Sequence, residues 1–358
     1  MNDPSSYADF PEMAELYRCN ELLSSLNRSA PDGKAEARMN IEGWVHDKGR
    51  AFPLASFEFG NRDPSSPVLV IVGGIHGLEK IGSQIILSFL RSWIRLLQWD
   101  QTLVKSLDAC RILFYPIANP AGMCRNSRSN ASGIDLMRNA PIDADTKVYP
   151  LVGGHRLSPR LPWYRGAKES AGEEGMENEA KVLADFIRRQ CFEAKQSIVL
   201  DVHSGFGWID RVWFPFASTK KPFPDVSNVL AIKQLLDRSY PHHVYKIEPQ
   251  NHSYMTHGDL WDYLYLDHSK LKDGNIFLPL CLEMGSWPWI KKNPRQLFSS
   301  SGFFNPILPH RIKRAERRHF LLFNFLVKAI ASGEAWDLAD PQKKHFLEEQ
   351  AKRLWYST

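Results

Sequence analysis

The sequence predicts a layered α/β domain. Three runs of branched apolar residues, Pro67–Gly73 (PVLVIVG), Arg111–Ile117 (RILFYPI) and Ser197–Val202 (SIVLDV), have the composition of strands that are buried on both faces. Segments with apolar residues at helical spacing lie between them. Strands that alternate with helices are typical of a sheet covered by helices. Because no repeat or linker divides the chain, we expect one domain over residues 1–335 and a helical tail over residues 336–358.

The elements of the first half follow in order from apolar spacing. Residues 11–27 predict a helix, and residues 38–60 predict two strands around the turn His46–Gly49. After the first buried strand, residues 81–97 carry a continuous apolar stripe with a period of 3.6 residues, which predicts a strong helix. The polar stretch 119–162 predicts long loops, and loops of that length in a compact domain are usually functional.

The second half has a similar alternation. Residues 176–194 predict a helix, Ile276–Leu282 (IFLPLCL) a fourth buried strand, and residues 310–332 a closing helix. Pro279 cannot donate a hydrogen bond within a sheet, so it predicts an edge strand or a bulge.

Charge argues against a nucleic-acid partner. The net charge is +5 and the isoelectric point about 8.8, a mild basic excess. The basic run His310–Arg318 belongs to a helix with an apolar stripe on its other side, so it predicts a solvated helix face.

Cysteine usage and the N-terminal sequence predict a cytoplasmic protein. The five cysteines are odd in number and widely spaced, which argues against a disulfide framework or a cysteine-bound metal. Free thiols are typical of a reducing compartment. The first residues lack the basic and apolar regions of a signal peptide, and no apolar run is long enough to span a bilayer, so no membrane partner is expected.

The first candidate for chemistry is His76-Gly-Leu-Glu79. Imidazole and carboxylate together suit zinc or a similar cation. The pair follows a buried strand, and open α/β sheets bind their ligands at the carboxyl ends of strands. His345-Phe-Leu-Glu348 has the same spacing, but it lies in a predicted exposed helix and is typical of a solvated face.

Two further candidates also end buried strands. If the first and third strands are neighbours, His203 joins His76 and Glu79, and two histidines with one carboxylate and an open position make a catalytic zinc site. Asp201 is expected to point the other way if the strand continues, so it lies outside the ligand set and is a candidate for a residue that supports the ligands. Glu283 ends the fourth strand, where a lone carboxylate is costly to bury. A role as general base for metal-bound water would account for it.

The order of these residues along the chain resembles the motif order of a known family. The set is His76-x-x-Glu79, Asn119-Pro120-Ala-Gly122, Arg128, Gly133-Ile-Asp-Leu-Met-Arg138-Asn139, His203, Tyr254 and Glu283. Over about residues 38–330, it resembles the zinc carboxypeptidase family (peptidase family M14). The resemblance implies a mixed, mostly parallel eight-stranded sheet flanked by helices on both faces. It also implies one zinc ion per chain, held by His76, Glu79 and His203, with Glu283 activating the metal-bound water.

The resemblance implies three more roles around the substrate. Arg128 would stabilise the oxyanion, Arg138 would bind a substrate carboxylate, and Tyr254 would cover the substrate. Arg125 is the alternative to Arg128, whose neighbours resemble the family's stretch more closely. The family usually has Asn before the carboxylate-binding arginine, where this chain has Met137. A thioether is a weak acceptor and no donor, so half of the usual carboxylate clamp is missing, although an arginine alone can bind a carboxylate.

The sequence therefore predicts a zinc-dependent hydrolase of peptide bonds, a metallocarboxypeptidase that removes a C-terminal residue. Met137 keeps open a zinc amidohydrolase that deacylates N-acyl amino acids. A third hypothesis is an inactive relative that serves as a binding module. The expected partner is a peptide or an acylated amino acid, and the sequence predicts no oligomeric state.

Overall fold

An eight-stranded mixed sheet is the framework of the molecule. The computed structural model describes residues 7–29, 37–167, 175–272, 274–299 and 301–357. The strands are β1 (Arg38–Asp47), β2 (Arg50–Gly60), β3 (Val68–Gly73), β4 (Arg111–Tyr115), β5 (Gln196–Ser204), β6 (Arg211–Phe214), β7 (Lys246–Pro249) and β8 (Ile276–Met284). Their order in the sheet is β1-β2-β4-β3-β5-β8-β6-β7. Four of the seven neighbouring pairs are parallel, as the predicted fold class requires.

Helices connect the strands and cover the sheet. Those of the described residues are α1 (Pro11–Ser29), α2 (Lys80–Leu96), α3 (Gln101–Ser106), α4 (Pro120–Cys124), α5 (Asn178–Cys191), α6 (Val226–Ser239), α7 (Leu260–His268), α8 (Trp287–Lys292), α9 (Pro309–Ala331) and α10 (Pro341–Trp355). No helix among these residues is both long and apolar enough to cross a bilayer.

The two faces of β5 meet different helices. Val202 lies under α2, where a Cβ added to Gly82 would stand 2.6 Å from the Val202 carbonyl oxygen. The neighbouring Asp201 points to the other face and accepts a hydrogen bond from Trp261 of α7. Because successive residues of a strand point to opposite faces, helices cover both faces of the sheet. The predicted fold class is confirmed.

The centre of the sheet places three strand ends side by side. The parallel strands β3, β5 and β8 are neighbours, so their carboxyl ends lie at one edge of the sheet. His203, near the end of β5, stands opposite Glu283, near the end of β8. The turn after β3 carries His76 and Glu79 to the same edge. This edge is where a ligand of an open α/β sheet is expected.

Pro279 predicted that its strand, β8, lies at the edge of the sheet. This was wrong, because β8 lies between β5 and β6. The reason is the short length of β6, of whose four residues Arg211–Trp213 pair with Cys281–Glu283. Pro279 lies before that pairing begins, where β8 pairs with β5 alone within the described residues.

The predicted hairpin and the C-terminal helix lie near the two ends of the chain. The predicted hairpin forms between β1 and β2, with Lys48 and Gly49 at φ values of 47° and 77°. Positive φ at both positions is the signature of a tight turn that matches strand twist. At the other end of the chain, α10 packs on α6 and buries Leu347, Ala351 and Trp355. The division of the chain at residue 335 stays a prediction.

Candidate metal centre and substrate cleft

Three side chains converge where β3 and β5 end. The Nδ1 atoms of His76 and His203 are 3.2 Å apart. Glu79 Oε1 lies 2.9 Å from His76 Nδ1, and Oε2 lies 3.1 Å from His203 Nδ1. All three residues are buried, and in the described part of the chain they form the one group of His, Cys, Asp or Glu that could hold a metal ion. The structure thus brings together the three predicted ligands.

The donor set fits zinc. Two imidazoles and a carboxylate are the protein ligands of many catalytic zinc sites. Ligand atoms at about 2.0–2.1 Å from a tetrahedral ion stand about 3.3 Å from one another. The observed separations of 2.9–3.2 Å are close to that value. Two imidazole nitrogens that face each other also need a proton or a cation between them, because their lone pairs repel.

Asp201 orients His203, which agrees with its candidacy as a supporting residue but not with the direction expected for its side chain. Its Oδ2 atom lies 2.6 Å from His203 Nε2 and also accepts a 2.8 Å hydrogen bond from Trp261. The expected direction was wrong because residues two apart in a strand point to the same face. Burial lowers the pKa of His203, but Asp201 and Glu79 outweigh it and hold that pKa well above its usual value. A carboxylate on Nε2 turns Nδ1 toward the metal position.

Asp135 orients His76 in the same way as Asp201 orients His203. Its Oδ1 atom lies 3.1 Å from His76 Nε2, and its Oδ2 atom accepts a 2.8 Å hydrogen bond from Arg128 Nε. Burial opposes ionisation, but Arg128 and His76 hold the pKa of Asp135 well below its usual range. Sequence reasoning placed Asp135 within a family motif and gave it no role. The only signal was its position before Leu-Met-Arg138.

Backbone contacts fix Glu79 from both sides. The Ser204 amide donates to Glu79 Oε2 at 2.9 Å. Asn305, from the segment before α9, donates to the Leu78 carbonyl at 2.7 Å and accepts from the Ile81 amide at 2.9 Å. Asn305 was missed from the sequence, since it is more than 220 positions away from its partners.

We expect Asp201→Asn to weaken zinc binding by about 10–100-fold, the usual effect of changing a residue that orients a metal-bound histidine. The exchange keeps the shape and an acceptor for Trp261 but removes the charge. Zinc affinity is measured by competition with a chromophoric chelator. Asp225→Asn, which removes a carboxylate bonded to Tyr265 and not to His203, is the control. Equal affinity in Asp201→Asn and the wild type would contradict the orienting role.

Glu283 stands beside the ligands with one oxygen fixed. The Phe206 amide donates to its Oε1 atom at 3.1 Å. No described residue binds the other oxygen, and the side chain lines the cleft. Burial and the negative charge of Glu79 raise the pKa of Glu283 to about 8. A cation among the ligands would lower this pKa toward neutrality, where a carboxylate is most useful as a general base.

The two rival arginines lie in different places. Arg125 is exposed and forms an ion pair with Asp47 at the end of β1. Arg128 is largely buried, donates to Glu79 Oε1 at 3.3 Å, and has Nη2 2.9 Å from His76 Nε2. Burial lowers the pKa of Arg128, but nearby carboxylates more than offset this effect, so the guanidinium is charged. The preference for Arg128 agrees with this placement.

The ligands and Glu283 open into a cleft of about 580 Å³. Its other lining residues are mostly apolar or aromatic, and include Met137, Pro150, Val152, Trp163, Phe206, Trp213, Tyr254, Cys281 and Phe304. Tyr254 packs against Phe206 and Trp213, with ring centroids 5.6 and 5.8 Å away. Burial raises its pKa to about 12, so its hydroxyl is neutral.

Arg138 is a buried cation of the cleft that forms no ion pair with the residues the structure describes. It is 2% exposed and donates to the carbonyls of Met137 and Val152 at 3.1 and 3.2 Å. Its guanidinium lies 6.0 Å from the centroid of the Tyr254 ring. Within the described residues, no carboxylate oxygen lies within 4.0 Å of it, so the arginine can receive an anion from the cleft.

The fold and this site define the class of a metal-dependent hydrolase. The sequence profile of the zinc carboxypeptidase family matches residues 47–281, and the chain belongs to this family. The family is zinc-dependent in general, and membership supports metallopeptidase activity. The matched range ends two residues before Glu283.

Individual relatives agree with the assignment. A carboxypeptidase E from Caenorhabditis elegans is 29% identical over 168 residues, which are 42% of this chain and 33% of that protein. The chain therefore matches about a third of that relative's length. Bovine thrombin-activatable fibrinolysis inhibitor, solved with tick carboxypeptidase inhibitor, has a similar fold, with a TM-score of 0.61, 18% identity and coverage of 90% of this chain and 97% of that one. Carboxypeptidase A from Helicoverpa armigera has a TM-score of 0.60 at 18% identity, over 88% and 72%.

Proposed function

We propose that the protein is a zinc metallocarboxypeptidase that removes the C-terminal residue of a peptide. The observation that carries the proposal is Arg138, a buried cation that shares one cleft with the metal ligands and Glu283 and has no carboxylate partner among the described residues. A free C-terminal carboxylate is the anion that lies one residue from a scissile peptide bond. A guanidinium binds such a carboxylate in bidentate fashion.

The chain's own residues supply the remaining chemistry. When bound by His76, Glu79 and His203, zinc acts as a Lewis acid on the scissile carbonyl and its attacking water. Glu283 takes the proton of the water through its free oxygen and passes it to the leaving amine. The charge of Arg128 favours the negative oxygen that develops in the transition state.

Tyr254 completes the cleft on the side of Arg138. Its ring packs on Phe206 and Trp213, which leaves an apolar wall for the terminal side chain. Met137 and Cys281 add further uncharged lining. Burying a lone cation there would cost free energy, so a terminal residue with an apolar side chain suits the cleft best.

A zinc amidohydrolase that acts on N-acyl amino acids is the second candidate. The observation that favours it is Met137, whose side chain lines the cleft at the position of the family's usual asparagine. An N-acyl amino acid also places a carboxylate next to the scissile amide, so Arg138 serves both reactions. The complete set of ligands and base argues against an inactive binding module.

We expect Arg138→Ala to lower kcat/KM by about 10–150-fold for peptides with a free C-terminus. A charge-assisted hydrogen bond contributes about 1.5–3 kcal/mol, and each 1.4 kcal/mol is tenfold. The measurement compares a peptide ending in Phe with the same peptide amidated at its C-terminus. The amidated peptide should be a poor substrate for the wild type, and the mutation should leave its rate nearly unchanged.

Arg125→Ala is the matched control, because it removes an exposed arginine from the same part of the chain. It should leave both rates unchanged. If Arg138→Ala lowers both rates equally, Arg138 does not bind the terminal carboxylate, and an endopeptidase or a deacylase becomes the better account.

A further inference from the structure

A second cavity borders the segment that follows β5, which also lines the catalytic cleft. Hydrogen bonds join this segment to the one that follows β8. The Trp287 amide donates to the Gly207 carbonyl at 3.1 Å, and the Gly285 amide donates to Asp210 at 3.0 Å. Phe206 lines the catalytic cleft, and Trp208, two residues later in the same segment, lines the second cavity together with Gly285.

The second cavity carries a concentrated positive charge. Its volume is about 350 Å³. The charged residues that line it are Lys292, Arg311, Arg314, Arg318 and Asp210. Four cations and one carboxylate give a formal charge of +3, compared with +5 for the entire chain. We call this space the basic cavity.

Few of these cations are neutralised. Arg318 forms an ion pair with Asp210, with its Nη1 atom 2.8 Å from Asp210 Oδ2. Arg311 donates to the carbonyl of Trp289 at 3.0 Å. Lys292 and Arg314 have no hydrogen bond or ion pair with any residue that the structure describes. A cavity lined by one sign of charge focuses the field and attracts an anion.

The position of the cavity indicates the source of the anion. The Ser204 amide binds Glu79 and the Phe206 amide binds Glu283, so this segment adjoins the reacting centre. Trp208, in the basic cavity, is two residues further on, a span of at most about 7 Å. A peptide whose terminal carboxylate binds Arg138 has its preceding residues on the other side of the scissile bond. Residues two or three positions upstream in an extended peptide lie about 7–11 Å from the scissile bond, a length comparable to the span from Phe206 to Trp208.

We propose that the basic cavity binds the carboxylates of acidic residues upstream of the scissile bond. The proposal rests on the proposed function and adds a substrate class to it: peptides with Asp or Glu two or three residues before the bond that is cleaved. The anionic side chains would replace the missing partners of Lys292 and Arg314. Because both cations are exposed, each contact contributes little by itself, and the preference should weaken with salt.

The test compares two peptides that end in the same apolar residue and differ upstream, with Glu in one and Ala in the other. For the zinc-loaded wild type at low salt, we expect KM for the acidic peptide to be about 3–30-fold lower, the effect of two to three exposed charge contacts. At 0.5 M salt the difference should nearly vanish. The double variant Lys292→Glu with Arg314→Glu should remove or reverse the preference at an unchanged kcat.

Lys313→Glu with Arg317→Glu is the matched control. Both residues are exposed on α9, the helix that carries Arg314, and neither lines the basic cavity. Equal losses in the two double variants would overturn the proposal, because the effect would then come from overall charge. Equal KM values for both peptides in the wild type would also overturn it, while the proposed function would stand. Failure to cleave either peptide would overturn the proposed function and this inference with it.

Discussion

Replacing His203 by alanine should remove zinc and activity together. The change leaves two ligands, His76 and Glu79, and deprives Asp201 of the imidazole that it holds. A catalytic zinc site normally has three protein ligands, so we expect the purified variant to retain far less than one zinc per chain. Elemental analysis after dialysis, together with a peptide assay, measures both effects.

His345→Ala is the control for this experiment. His345 and Glu348 repeat the spacing of His76 and Glu79, but they lie on α10, where Glu348 forms an ion pair with Lys352. This variant should keep about one zinc per chain and full activity. Full zinc occupancy in His203→Ala would rule out the assigned ligand set.

The second large effect is expected for Glu283→Gln. The amide has nearly the same shape and can still accept the hydrogen bond from the Phe206 amide, but it cannot take a proton from water. Loss of a general base typically lowers the rate by about 10²–10⁴-fold. We expect kcat to fall by this factor while zinc content and thermal stability stay at the wild-type level. Wild-type turnover in the variant would exclude Glu283 as the base.

The two variants distinguish a metal ligand from a general base. His203→Ala should lose metal and turnover, whereas Glu283→Gln should lose turnover alone. A variant of Glu283 that also lost zinc would show that this carboxylate acts as a fourth ligand. The assigned roles therefore make different predictions for two side chains that stand opposite each other on neighbouring strands.

The sheet was predictable from the sequence where strands are buried on both faces. The strands β3, β4 and β5 are buried throughout and mostly apolar because helices cover both sides of the sheet. Two other strands, β6 and β7, have only four residues each and leave no such pattern. The central position of β8 was missed for the same reason, since its neighbour β6 could not be recognised.

The convergence of the three candidate ligands was also predictable, because each of them follows or ends a recognisable strand. The residues that support it were not. His76 meets Asp135 across 59 positions, and Leu78 meets Asn305 across 227, and neither distance has a local signal. The contact between Asp201 and His203 was an exception: the two-residue period of a strand predicts it, and the sequence-based reasoning misapplied that period.

The product formed from a peptide tests the central claim most directly. The zinc-loaded protein is incubated in ¹⁸O-labelled water with a peptide that has a free C-terminus, and the products are identified by mass spectrometry. We predict successive loss of single residues from the C-terminus, with one heavy oxygen in each new terminal carboxylate, because water attacks the scissile carbonyl. Internal fragments, release of an N-acyl group alone, or an intact peptide would contradict the account.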